Sequence, residues 1–298
     1  MLGSSYGQSG QPARAIPLYV IGNAIDEEQD EKRSLAAGLG NLAIQQFLTG
    51  ALGEAAANLR RGIALAKEIG DEHGEASGCY ELGRMLPYAG KYDEAEHELD
   101  KARALADHVY ETRGAYNGPV IARAYRAERY LLRGEAQAAL AAAQDAQAWA
   151  ERRIRDGSPN ERDQIRNAWL LGAARRGLGE LNKAEGQLNE ALARCRRINL
   201  VEFEAGIMVE LAHTQRDQGR RDEALELAED ALVIADRSGY RLQRADIHYL
   251  LALLAQDAGD VPKAREHAEQ ARDCAWCDDE MHYQRTWEAA EKLLEELA

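Results

Sequence analysis

The residues best suited to chemistry in this sequence are two neighbouring cysteines near its end. Cys274 and Cys277 form a single CxxC pair in the stretch "CAWC". A structural zinc ion would need two more ligands at a comparable spacing, and the sequence does not supply them. A redox dithiol would need a helix N-terminus that follows a strand, whereas this pair falls at the predicted end of a helix. We therefore interpret both cysteines as structural and predict no metal site.

Two stretches match nucleotide-binding patterns only in part. "GRMLPYAGKY" contains Gly90 and Lys91, but their spacing is wrong for a phosphate loop, and Tyr92 replaces the hydroxyl residue that would meet magnesium. "GLGNLA" at 38–43 has the glycine spacing of a dinucleotide fingerprint but lies inside a predicted helix with no strand before it. We predict no cofactor.

Histidines and carboxylates give no catalytic arrangement either. His213 and His248 each fall on a predicted helix, where packing is the simplest role, and the sequence contains neither HExxH nor GxSxG. The acidic run at 278–280 suits the start of a helix, where negative charge is favoured. We predict no catalytic residues and a protein that is not an enzyme.

Composition narrows the classes of partner. The 298 residues include 51 Asp and Glu against 37 Lys and Arg, a net charge of −14 that disfavours nucleic acid and anionic membranes. No apolar run reaches the roughly 18 residues of a membrane span. The first residues lack the long apolar segment of a secretory signal, and four cysteines are too few for a disulfide framework. These features predict a cytoplasmic location.

A repeated pattern of small residues organises the rest of the chain. Units of the form GxxxxA recur at intervals of 40 to 45 residues, with a small residue twelve positions before each alanine and another seven positions after it. The units are Gly50/Ala55, Gly90/Ala95, Gly134/Ala139, Gly179/Ala184, Gly219/Ala224 and Gly259/Ala264. Small residues allow two helices to approach closely, and a glycine with positive φ ends the first helix of each pair. Each pair leaves an apolar face for its neighbour, so the pairs must stack.

The six-fold pattern between 42 and 271 resembles the tetratricopeptide repeat (TPR) family. The resemblance implies an all-α fold: a right-handed superhelical solenoid of about six TPR-like helix pairs with a C-terminal capping helix. The period is longer than the usual 34 residues of the family. The proline that usually closes the second helix is replaced by Gly70, Asn199 and Gly239, which suit a left-handed C-cap.

These patterns predict three segments. The Gly-, Ser- and Gln-rich start and the residues after it predict a flexible segment and linker over 1–33. Six repeats then fill 34–277, and a capping helix is predicted over 278–298, with Trp287 and Leu293 covering the last repeat. The predicted repeats span 34–71, 74–110, 118–154, 163–199, 203–239 and 243–277.

A narrower resemblance is carried by the stretches 43–72, 188–206 and 239–284. They are similar to the C-terminal TPR arrays of bacterial STAND/NACHT-type signalling ATPases. That resemblance implies a sensor or partner-recruiting role and association with an ATPase signalling module, which this sequence does not contain. The chain would then be either a piece of a larger protein or a stand-alone relative.

In the TPR family the first helix of each pair lines a concave groove. The corresponding positions here are rich in Tyr, Trp and Arg, the types enriched in binding hot spots. The resemblance implies a partner-binding groove formed by Tyr80, Glu81, Arg84, Tyr88, Tyr125, Glu128, Arg166, Trp169, Arg176, His213, Arg216 and Tyr249. Gly40 and Ile44 stand where chaperone-binding members carry Lys and Asn, so a carboxylate clamp is not expected. The alternative reading of the aromatic residues is packing between repeats.

The leading functional prediction is a non-enzymatic scaffold that binds a protein or peptide in this groove, within a bacterial signalling system. One alternative is a structural, self-assembling spacer. Another is a small-molecule receptor that uses the groove as a pocket. The sequence does not specify the oligomeric state.

Overall fold

The computed structural model describes residues 2–114, 116–277 and 281–298, and it contains helices and turns in these ranges but no strand. The helices are α1 (Leu2–Gln8), α2 (Pro12–Glu28), α3 (Lys32–Thr49), α4 (Leu52–Glu68), α5 (Glu72–Met85), α6 (Tyr92–Arg113), α7 (Gly118–Leu132), α8 (Ala136–Arg155), α9 (Glu161–Gly177), α10 (Leu181–Arg197), α11 (Val201–Asp217), α12 (Arg221–Ser238), α13 (Arg241–Asp257), α14 (Val261–Ala275) and α15 (Gln284–Glu296), with a short 3-10 turn at Leu86–Ala89. Consecutive helices pack in pairs from α3 to α14, which confirms the predicted all-α solenoid.

The predicted glycines end the first helix of each pair. Gly50 has φ +87° and Gly219 has φ +80°, a left-handed conformation that glycine adopts without steric cost. The second helices end in the same way at Gly70, Asn199 and Gly239, with φ between +53° and +70°. The proposed substitutes for a closing proline are therefore confirmed as left-handed caps.

The small-residue columns lie where helices touch. A Cβ atom added at Gly83 would come within 2.6 Å of the Leu99 side chain, and one at Gly172 would come equally close to Leu188. The anchor alanines, such as Ala55 and Ala264, are fully buried. Close approach of the two helices in each pair thus depends on residues with little or no side chain.

The N-terminal region is helical, which differs from the flexible segment and linker expected over 1–33. Gly10 is left-handed with φ +74°, Ala15 is fully buried, and Asp30 is left-handed with φ +55°. These are the columns of the later repeats, and Gly10 lies 40 residues before Gly50. Packing of α2 on α3 gives this segment an apolar partner, which local Gly and Ser content does not reveal.

At the other end, α15 begins at Gln284, later than the expected start at 278, and the residues 278–280 lie outside the described ranges. Leu293 is buried against Ala252 and Ala268 of the last pair. Trp287 packs beside Tyr283 on the main core. The helix covers the apolar face of the final repeat, as a solenoid end requires.

The superhelix closes on itself. The first pair approaches the sixth, because α3 contacts α13, and α15 contacts the 3-10 turn after α5. The space beside Gly10 is occupied by Val201, Ser238 and Tyr240 from much later in the chain. Helices α3, α5, α7, α9, α11 and α13 therefore surround a common concave interior.

Candidate functional site

The predicted groove residues lie on the helices that surround this interior, except Tyr88, which lies in the 3-10 turn after α5. Their exposure divides them into two groups. Tyr80, Arg84, Tyr125, Glu128 and Arg166 are buried, whereas Glu81, Tyr88, Trp169, Arg176, His213, Arg216 and Tyr249 are partly buried. The structure shows which of them contact each other, and their role in partner binding stays a prediction.

The centre of the interior is occupied by a set of ion pairs. Arg84 Nε lies 3.3 Å from Glu128 Oε2, and Arg84 Nη1 lies 3.9 Å from Glu202 Oε1 and 4.0 Å from Glu81 Oε2. Arg162 pairs with Glu202 from the opposite side. We call Arg84, Glu128, Glu81, Glu202 and Arg162 the central cluster. Its members come from four helices, so it joins successive repeats.

Burial and charge act in opposite directions on the carboxylates of the central cluster. Burial raises the pKa of Glu81, although Arg84 and Arg166 oppose the rise. Burial also disfavours charge on Glu202, but Arg162 and Arg84 outweigh it and hold the pKa of that carboxyl below its usual value. Glu202 is therefore firmly ionised, whereas Glu81 is the carboxylate least compensated by its neighbours.

Aromatic rings close the space around the central cluster. The Arg84 guanidinium lies 5.1 Å from the Phe47 ring centroid and 4.9 Å from that of Tyr125. Phe47 packs against Tyr88 at 4.9 Å between centroids, and Tyr88 packs against Tyr283 at the same distance. The Tyr88 hydroxyl donates a 2.8 Å hydrogen bond to Glu128. The cavity that remains here measures only about 80 Å³.

A second set of ion pairs lies nearer the C-terminal ends of α9, α11 and α13. Arg176 Nε lies 3.0 Å from Glu210 Oε2, and Arg216 Nε lies 2.6 Å from Asp257 Oδ2. Burial, reinforced by Arg176, lowers the pKa of His213 to about 3, so its imidazole is neutral at neutral pH.

Asp246 faces the same part of the interior, and its pKa is shifted upwards, whereas that of His213 is shifted downwards. Burial raises the pKa of its carboxyl to about 6, despite a 2.6 Å hydrogen bond from the Thr286 hydroxyl and the charge of Arg285. The Tyr283 hydroxyl donates a further 3.2 Å bond to it. Helix α15 and the residue just before it thus supply the partners of a carboxylate on α13.

An open hollow of about 290 Å³ lies between α3 and α5, above α4. Its floor and sides are built from small or aliphatic residues, including Ala37, Gly40 and Ile63. A Cβ atom added at Gly40 would meet nothing within 4 Å. Two of the predicted groove residues, Tyr80 and Glu81, line its inner wall. We call this space the hollow.

Polar groups on α3 and α5 also line the hollow, among them Asn41 and His73. Asp71 lies at its rim, 3.6 Å from the largely exposed Arg33. Glu81 Oε1 accepts a 3.1 Å hydrogen bond from the Tyr125 hydroxyl. Glu81 Oε2 is buried and has no hydrogen-bond donor among the described residues, with Arg84 at the 4.0 Å limit of an ion pair. The hollow is therefore an apolar recess with a weakly compensated carboxylate beside it.

Sequence reasoning missed several residues of the interior. Phe47 lies four residues after the small residue Ala43 of the first repeat, the same spacing that gave Arg176 and Arg216 in later repeats, so this count would have found it. Arg162, Glu202 and Tyr283 stand outside the repeat's groove positions, and only the assembled superhelix brings them together. Asp246 stands at a groove position of the sixth repeat, but its bonds to α15 carry no sequence signal.

Cys274 and Cys277, the residues first considered for chemistry, are partly buried and pack against the main hydrophobic core. Cys79 and Cys195 are buried, and burial raises the pKa of each thiol to about 12, which makes thiolate formation unfavourable. His248 is buried, with its Nδ1 3.2 Å from Nδ1 of His267. The described residues contain no group of three or more His, Cys, Asp or Glu placed to hold a metal ion. Within the same ranges, no helix has the length and apolar character needed to cross a membrane.

Comparison with known proteins supports the TPR family for this array. Residues 203–275 match the family model described as tetratricopeptide repeat. The matched segment coincides with α11 to α14, the fifth and sixth pairs. A search of curated proteins finds no match.

Solved structures share the architecture at low sequence identity. The APC/C hetero-tetramer Cut9–Hcn1 matches with a TM-score of 0.62 at 15% identity, covering 99% of this chain and 48% of that one, so this chain spans about half its length. A Rap protein complexed with Competence and Sporulation Factor also gives 0.62, at 12% identity over 89% and 74% of the two chains. A tetratricopeptide repeat protein from Parabacteroides merdae gives 0.56, at 12% identity over 99% and 95%. At these identities the likeness establishes the fold alone.

Proposed function

We propose that this chain is a non-enzymatic module that binds a protein or peptide segment on its concave surface. The hollow is the observation that carries the proposal. It is open, it measures about 290 Å³, and it is lined mainly by apolar and small residues. A volume near the lower end of ligand-pocket sizes suits one side chain of a longer segment better than a large cofactor.

The lining of the hollow defines the chemistry of the segment. An apolar side chain would enter between Gly40 and Ile63, where burial of apolar area stabilises binding. A positively charged group beside it would meet Glu81 and Asp71, because Arg84 reaches Glu81 only at 4.0 Å and the largely exposed Arg33 lies 3.6 Å from Asp71. The preferred segment is therefore apolar with an adjacent lysine, arginine or amino terminus.

Tyr80 and Glu81 contact the bound segment directly in this proposal. The other predicted groove residues, from Arg84 to Tyr249, are paired with one another or packed around the interior, and they fix the shape of the surface. This limits the segment to the first and second repeats.

The finer context is a cytoplasmic sensor or partner-recruiting region of a bacterial signalling system, in association with an ATPase module. The resemblance of 43–72, 188–206 and 239–284 to STAND/NACHT arrays supports it. The Rap neighbour, which is complexed with Competence and Sporulation Factor, adds an example of this fold holding another molecule.

Selection from a random-peptide phage library on the whole chain would test the binding proposal. Peptides recovered by the native chain should carry an apolar residue next to a basic one, and Gly40→Leu should abolish their binding by filling the hollow. Gly186→Leu is the matched control, since Gly186 is also a helical glycine with nothing within 4 Å of an added Cβ and lies far from the hollow on α10. Equal binding by both variants would exclude the hollow as the site.

A further inference from the structure

The exposed side of α2 differs from that of the later second helices. Val20, Ile21 and Ile25 are 50%, 59% and 47% exposed. Val20 and Ile21 stand five and six positions after the anchor Ala15, and these positions are polar or charged in all six later repeats. The matching residues are Arg60/Arg61, Asp100/Lys101, Gln144/Asp145, Asn189/Glu190, Glu229/Asp230 and Glu269/Gln270. Adjacent exposed apolar residues on one helix mark an interaction surface.

These side chains form a continuous stripe along the helix. At 3.6 residues per turn, positions 13, 17, 20, 21, 24 and 25 fall on one side, and all of them are apolar and exposed. Ala13, Pro17 and Ala24 are small, so another helix could approach closely. The opposite side of α2 holds the buried Ala15 and Asn23 and is already occupied by the array. The stripe therefore faces away from every described part of the chain.

The charges at the two ends of the stripe are arranged symmetrically. Arg14 lies seven residues before Ile21, and Glu28 lies seven residues after it, both exposed on the same side of the helix. Neither has an opposite charge within ion-pair range among the described residues. Arg14 donates only to Gln11, at 2.8 Å, with its guanidinium over the Tyr6 ring.

We propose that a second copy of this chain packs on the stripe, with α2 antiparallel to its counterpart about a two-fold axis at Ile21. In this arrangement Arg14 of each copy meets Glu28 of the other, about 10 Å from the axis on each side at 1.5 Å of rise per residue. The same apolar surface serves both copies, as a two-fold interface requires. An acidic or a basic partner would satisfy only one end of the stripe, whereas a second copy satisfies both.

Sedimentation velocity over a range of concentrations tests the association. The native chain should shift from 32.9 kDa towards twice that mass as concentration rises. Ile21→Glu should remain monomeric throughout, because it places a charge on the two-fold axis. Val233→Glu replaces a more exposed valine, 66% accessible on α12, and should dimerise like the native chain.

Charge exchange tests the antiparallel geometry separately. Arg14→Glu and Glu28→Arg should each weaken the dimer by at least tenfold, because each places like charges together twice. The double variant should recover most of the native affinity, and added salt should weaken the native dimer. A native chain that stays monomeric, or an Ile21→Glu variant that still dimerises, overturns the proposal. Failure of the double variant to recover affinity overturns the antiparallel arrangement.

Discussion

The hollow and the central cluster belong to the same concave surface. They differ because matching positions of the repeats carry small side chains at the hollow and large ones at the central cluster. Gly40 lies three residues before the small residue Ala43 of the first repeat, and Tyr80 lies three residues before the matching Gly83 of the second repeat. The next residue changes in the same way, from Asn41 to Glu81. The first repeat therefore leaves space of about 290 Å³, whereas later repeats fill the interior until about 80 Å³ remains.

This difference shows that large polar residues at groove positions do not by themselves indicate a ligand site. Arg84 and Glu128 are buried against each other, and their desolvation is offset by pairing inside the protein. The small residues of the first repeat contribute little to stability and leave the concave surface accessible. Buried ion pairs and open space on the concave surface thus occur in different repeats.

The largest expected effect comes from breaking the central cluster. Arg84→Ala should lower the free energy of unfolding by about 3–5 kcal/mol, since it leaves Glu81, Glu128 and Glu202 without their shared cation. Urea denaturation followed by circular dichroism measures the loss. Arg60→Ala is the control, because the exposed Arg60–Glu94 pair should contribute less than about 1 kcal/mol. Similar losses from the two variants would show that the cluster does not stabilise the interior.

A smaller loss is expected where a small residue is required for packing. Gly172→Ala would bring a Cβ atom within 2.6 Å of Leu188, and overpacking of this kind costs about 1–3 kcal/mol. The same urea titration detects it. A second change, Leu188→Ala in the Gly172→Ala background, should remove the clash. The glycine replacement should then be nearly neutral when the double variant is compared with Leu188→Ala alone. A Gly172→Ala variant as stable as the native chain would contradict the packing role of this column.

The pH dependence of stability should distinguish the contributions of two buried groups, His213 and Asp246. His213 has a folded pKa of about 3 against 6.5 in the unfolded chain, so the unfolded state binds more protons between these values and stability falls as pH falls. Asp246, at about 6 against 3.8, has the opposite effect between those values. His213→Gln should therefore flatten the loss of stability below about pH 6, and Asp246→Asn should steepen it, each by at most about 1.4 kcal/mol per pH unit.

Urea midpoints measured from neutral pH downwards would show both slopes. The comparison is internal, since each variant is normalised to its own stability at neutral pH. If both variants changed the slope in the same direction, the assigned protonation states of these two groups would be wrong.

The smallest effect is expected in the hollow. Gly40→Ala meets no atom within 4 Å and removes the flexibility of a helical glycine, so it should stabilise the chain by up to about 1 kcal/mol. Thermal unfolding followed by circular dichroism would register a slight rise in Tm. A loss of stability would mean that the first repeat packs more tightly than the open hollow implies.

The repeat columns made most of the fold predictable, because close helix contact restricts residue type at fixed spacing. The glycine turns at Gly50 and Gly219 and the left-handed caps at Gly70 and Asn199 follow from this restriction. A flexible segment and linker were expected where the structure has α1 and α2, although Gly10 and Ala15 continue the columns, because local composition was given more weight than the period.

The site was harder to predict, because its contacts depend on superhelical closure. Arg84 and Glu128 are 44 residues apart, and Tyr88 and Tyr283 are far more distant in sequence. These residues come into contact only through the accumulated rotation between successive helix pairs, and no local sequence pattern specifies that rotation. Exposed groove residues were therefore expected where the structure places buried pairs.

Closure has a mechanical consequence. Repeats in an open solenoid contact only their neighbours, so the array extends like a spring and unfolds piece by piece from its ends. Here Phe47, Tyr88 and Tyr283 link the first repeat, the second repeat and the residue just before α15, so the later part of the superhelix is held against its first repeats. Pulling the two ends apart should meet a stiff resistance first and then a sudden yield when this aromatic contact separates.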